Sequence, residues 1–152
     1  LQTGYTHHIP RLMVLANLAT LIDVPTREST ERFRAALNAG YDWVVEPNVL
    51  GMGTFGVGDL MTTKPYVCGA AYIDRMGDSC GACRFDPKKD CPITALYWDF
   101  LQRNREKLAG NRRLNMPLAS AGKRSADQRR RDADLAQKTR RALGAGAELE
   151  PE

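Results

Sequence analysis

The sequence predicts an all-α protein, on three observations. Ile93, Leu96, Tyr97, Phe100 and Leu101 form an apolar stripe at helical spacing behind Pro92, which suits a first helical turn. His7 to Ile22 is apolar on most faces, the pattern of a buried helix. Ser125-Ala-Asp-Gln128 is a capping box opening a charged, weakly amphipathic helix to Leu143.

In chain order, the buried helix ends before Pro25, and Glu28 to Asn38 starts another. Tyr41 to Val45 is a short apolar run that fits helix or strand. Glu46 to Gly58, with Gly51, Gly53, Gly56 and Gly58, predicts tight turns and close approach of backbone to a ligand. Lys64-Pro65-Tyr66 is extended, and Gly69 to Met76 suits a short helix stopped by Gly77. The helix from Pro92 continues to Leu108 and ends at Gly110; Asn111 to Gly122 is loop, and Gly144 to Glu152 has the composition of a disordered end. The end of the chain reads as a basic, partly helical tail.

The chain has 152 residues, a formal charge of +4 and no long apolar run, so no membrane-spanning helix is expected. It opens on Leu1 inside an amphipathic pattern, which reads as the C-terminal part of a longer protein. Lys123, Arg124, Arg129, Arg130, Arg131, Lys138, Arg140 and Arg141 crowd one segment, which suits a polyanionic partner or a solvated charged helix.

The chemistry concentrates in Cys80, Cys83 and Cys91. A C-x-x-C hook, a third Cys after a polar loop and a Cys-Pro at a helix start suit a soft metal centre, zinc or iron–sulfur. A thiolate at a helix start is expected to have a lowered pKa. Metal-type spacing of this kind favours a reducing, cytoplasmic setting. Cys68, in an apolar segment, is either a fourth ligand or a small core residue. The bland alternative is a set of reduced, unliganded thiols. His7, His8 and Arg11 share a helix end and fit a surface end or a polar pocket wall equally well.

Several motifs occur in one order: Tyr5 to Met13 (YTHHIPRLM), Trp43 to Met52 (WVVEPNVLGM), Lys64-Pro65-Tyr66, Gly69 to Met76 (GAAYIDRM), Cys80-Gly-Ala-Cys83, Cys91-Pro92, Ala95 to Phe100 (ALYWDF) and Asn115-Met116-Pro117. In that order, over Leu1 to Pro117, the chain resembles the iron–sulfur bacterial cryptochromes and photolyases, the prokaryotic (6-4) photolyase branch. The resemblance implies the C-terminal part of a helical FAD-binding domain with a [4Fe–4S] cluster. The antenna chromophore would sit on a domain outside this chain.

It further implies light-driven repair of pyrimidine (6-4) lesions in UV-damaged DNA by electron transfer from reduced FAD, in a monomeric parent protein, the isolated chain being inactive. By the same resemblance Cys80, Cys83 and Cys91 are three cluster ligands, the fourth lying before Leu1. His8 faces the lesion, and Tyr66 and Met52 line its pocket. Arg11 and Asp42 pair beside the flavin ring, and Asn48 lies near its N5. Where the family often has electron-relaying aromatics, Arg32 and Phe33 stand, which argues against photoreduction by that route. Two other readings are a signalling cryptochrome with the same cofactors, and a zinc-stabilised helical module that touches nucleic acid.

Overall fold

The computed structural model describes residues 11–36, 41–54, 63–78 and 80–151, with the backbone alone for 11–13, 42 and 44. Every regular element among the described residues is helical, as the sequence predicts. The chain divides into two compact units, Leu1–Val67 and Cys68–Glu152.

In the first unit a π-helical stretch, Arg11–Ala16, runs into helix α1, Asn17–Leu21. α1 ends in a Schellman turn: the Val24 N–H reaches the Ala19 carbonyl at 2.9 Å and the Asp23 N–H reaches Thr20 at 3.2 Å. Asp23 takes the left-handed conformation the motif needs, with φ 62°. α2, Thr26–Ala36, starts directly after Pro25 and carries Arg27–Glu31 and Arg32–Glu28 pairs on its exposed face. α3, Asp42–Val45, settles the ambiguous run as helix and leads straight into a second π-helical stretch, Glu46–Gly53.

That second stretch corrects an expectation. The glycines predict turns, yet the backbone stays helical through Gly51 and Gly53, both buried. Without Cβ atoms they let the wide turn lie close to its neighbours. The two π-helical stretches pack against each other, and the second also packs on α2 and α3. Ala16, Phe33, Val45 and Val49 form the core at that junction. The helix predicted over His7–Ile22 is therefore confirmed over its described part, but its packing is uneven: Asn17 is fully buried while Leu15 is exposed.

The second unit is built on α5, Pro92–Arg103. α4, Ala70–Met76, packs on it, and a Cβ added at Gly69 would lie 3.5 Å from the Tyr97 ring. The long helix expected from Pro92 to Leu108 breaks at Asn104, whose side-chain amide donates to the Phe100 carbonyl at 3.0 Å. A short α6, Arg105–Leu108, follows. Asn111–Gly122, expected as loop, holds a 3-10 turn, Arg112–Leu114, and α7, Asn115–Gly122. Pro117 lies in the first turn of α7, where its missing N–H is not required. Leu118 and Ala121 are the buried positions of α7, and this helix packs on α5.

α8, Ala126–Gly144, opens with the predicted capping box: Ser125 Oγ accepts from the Gln128 N–H at 3.2 Å, and Gln128 Oε1 accepts from the Ser125 N–H at 2.9 Å. It packs extensively on α5 through buried Ala136 and Thr139. Among the described residues no helix is long and apolar enough to cross a membrane.

Candidate functional site

The cysteine loop leads into the N-terminus of α5. Cys80 to Cys83 form one tight turn, with the Cys83 N–H on the Cys80 carbonyl at 3.2 Å. Asp86 then organises the rest. Its Oδ1 accepts from the Lys88 N–H at 2.7 Å, an Asx turn, and its carbonyl accepts from the Cys91 N–H at 3.1 Å. Asp90 Oδ1 returns to the Asp86 N–H at 2.6 Å. The Lys88 N–H holds the Asp86 carboxyl below its ordinary pKa. The loop thus has a hydrogen-bonded frame of its own.

Cys91 is the N-cap of α5, with φ −62° and ψ 121°. The expected lowering of its pKa is present but overruled. Burial pushes the thiol up, and the neighbouring Cys83 and Cys80 add to that, while the Ile93 and Thr94 N–H groups at the helix start pull down. Burial also raises Cys80, followed by the charges of Asp74 and Cys83.

No disulfide joins the four cysteines. Among the described residues no three His, Cys, Asp or Glu side chains form a group that could hold a metal ion. Cys80, Cys83 and Cys91 are soft sulfur donors carried on one loop, but their side chains are not gathered into a metal-binding group here. Cys68 is half-buried at the head of the second unit, close enough to help raise the Tyr97 hydroxyl, whose main cause is burial.

The other candidate residues fall in the first unit. Arg11 opens the first π-helical stretch; Asn48 and Met52, both half-buried, lie on the second. Asp42 begins the helix that feeds the second stretch. The fold thus brings the segments bearing Arg11, Asn48 and Met52 against each other. Wide π turns of this kind often mark functional sites. The Asn48 side chain carries both a donor and an acceptor. The side chains of Arg11 and Asp42, and all of His8, lie outside the described residues. Tyr66 is half-buried on the non-helical segment before Val67. Arg32 is engaged with Glu28 at 2.7 Å on the surface, and Phe33 is buried in the core.

Two charged clusters tie α5 to the segment from Arg124 to Arg140, and neither was singled out in the sequence. Asp99, 7% exposed, takes Arg103 Nε at 2.8 Å and Arg140 Nη2 at 2.5 Å. Arg124 stacks over Trp98, 4.8 Å from its centroid, and forks onto Asp132 at 2.7 and 2.9 Å. The Asp99–Arg103 spacing was the available signal, since i,i+4 neighbours share a helix face.

These features define an all-helical protein with an ordered three-cysteine loop. Its relatives supply the family. Over 134 residues, 85% of this chain, it is 43% identical to a (6-4) photolyase of Agrobacterium fabrum, and it spans 26% of that relative's length. An uncharacterised protein of Acanthamoeba polyphaga mimivirus is 28% identical over 102 residues, 67% of this chain and 80% of the viral protein. No family model matches the chain. The chain belongs to the photolyase family.

Proposed function

We propose that this chain is part of a light-driven DNA repair enzyme that acts on pyrimidine (6-4) photoproducts. The observation that carries the reading is the 43% identity to a (6-4) photolyase across 85% of the chain. The parent protein would be a cytoplasmic monomer that binds UV-damaged DNA and flips the lesion out of the stack. An antenna chromophore would be held outside this chain. Reduced FAD, when bound, supplies the electron that light drives into the lesion.

The chain's own residues have separate tasks. Arg11 and Asp42 would serve as an ion pair that fixes charge near the redox ring. Asn48 serves the flavin nitrogen as donor or acceptor. His8 gives a proton to the reduced lesion, a task suited to a group that titrates near neutrality. Met52 and Tyr66 line the lesion pocket. Cys80, Cys83 and Cys91 would hold a [4Fe–4S] cluster with one further thiolate, and its irons would favour the ionised form of the thiols that burial raises.

The test is a repair assay on an oligonucleotide bearing one (6-4) lesion, with the full-length parent protein, in blue light and in the dark. Repair in light alone, lost by at least a hundredfold in His8→Ala as expected for a proton-transfer group, supports the reading. Flavin photoreduction without repair would overturn it and leave a signalling cryptochrome.

A further inference from the structure

We propose that the segment after α8 is an acidic strap that closes on the cysteine loop and sets its order. α8 ends in a Schellman turn: the Ala147 N–H meets the Ala142 carbonyl at 2.9 Å and the Gly146 N–H meets Leu143 at 3.1 Å. Gly146 takes φ +67°, a conformation that strains any L side chain. The turn reverses the chain and brings two carboxylates onto one guanidinium. Glu150 Oε1 lies 2.6 Å from Arg84 Nη1, and Glu148 Oε2 lies 3.6 Å from Arg84 Nη2.

Arg84 directly follows Cys83. The frame built by Asp86 begins two residues later, so the Cys80–Cys83 turn has short local bonds from Asp78 and Cys80. The strap adds a tie that spans 66 residues of sequence. These pairs are half or more exposed, so the closure is weak, reversible and sensitive to salt. The inference concerns the order of the loop whatever the loop holds, and so stands apart from the repair reading.

Amide hydrogen exchange of the metal-free full chain tests it, comparing residues 80–91 with residues 96–101 of α5. Gly146→Ala, which changes no charge, and Glu148→Gln/Glu150→Gln should each speed loop exchange about two- to fivefold, the range of exposed ion pairs, and leave α5 unchanged. Arg84→Glu combined with Glu148→Lys/Glu150→Lys should restore the slow rate. Unchanged loop exchange in the Glu148→Gln/Glu150→Gln variant, or equal acceleration in α5, would overturn the strap.

Discussion

Asp132 shows how burial and pairing compete at one residue. Arg124 forks onto it, yet burial is the larger influence and lifts its pKa above the ordinary carboxylate value, with Asp99 adding to the rise. A raised folded pKa means that the folded state favours the protonated acid. The associated stability is complete below the unfolded pKa, near 4, and is lost as pH climbs through the folded value. Wild-type protein should therefore lose stability relative to Asp132→Asn as pH rises above about 4, seen as diverging urea midpoints. Cys91 follows the same competition. Its place at a helix start was legible, but its burial comes from tertiary packing that no local spacing encodes.

At the scale of elements, local signals were legible wherever they settle the backbone by themselves. Ser125 and Gln128 mark the start of α8, and both bonds of the box form. Ser125→Ala should cost about 1 kcal/mol of stability, measured by chemical denaturation, with α8 fraying from its first turn. Signals failed where packing decides. Gly51 and Gly53 suggested turns, but a wide helical stretch pressed against α2 and α3 needs the same absence of side chains. Asn111–Gly122 has a weak apolar pattern, and Leu118 and Ala121 make it a helix by their burial in the second unit. Asn104 divided a helix that apolar periodicity alone had made continuous. Of the candidate site, the placing of Cys80, Cys83 and Cys91 on one loop leading into α5 was legible. The Asp86 frame and the reach of Glu148 and Glu150 to Arg84 were not, because they depend on where the loop and chain end meet.

At the scale of the whole molecule, the chain supplies two units, each with part of the proposed chemistry. The first carries the paired π-helical stretches with Arg11, Asn48 and Met52; the second carries the three thiols. The chain spans about a quarter of the (6-4) photolyase it matches, so the proposed activity belongs to the parent protein. The parent is proposed to be a flavoprotein whose cysteine loop binds a cubane cluster. An absorption spectrum with iron and zinc analysis of the parent protein purified without air tests this. Flavin bands and about four irons per chain are expected, with the iron lost in Cys91→Ser. A colourless protein with a single zinc would contradict the proposal, and would make the loop a structural zinc site.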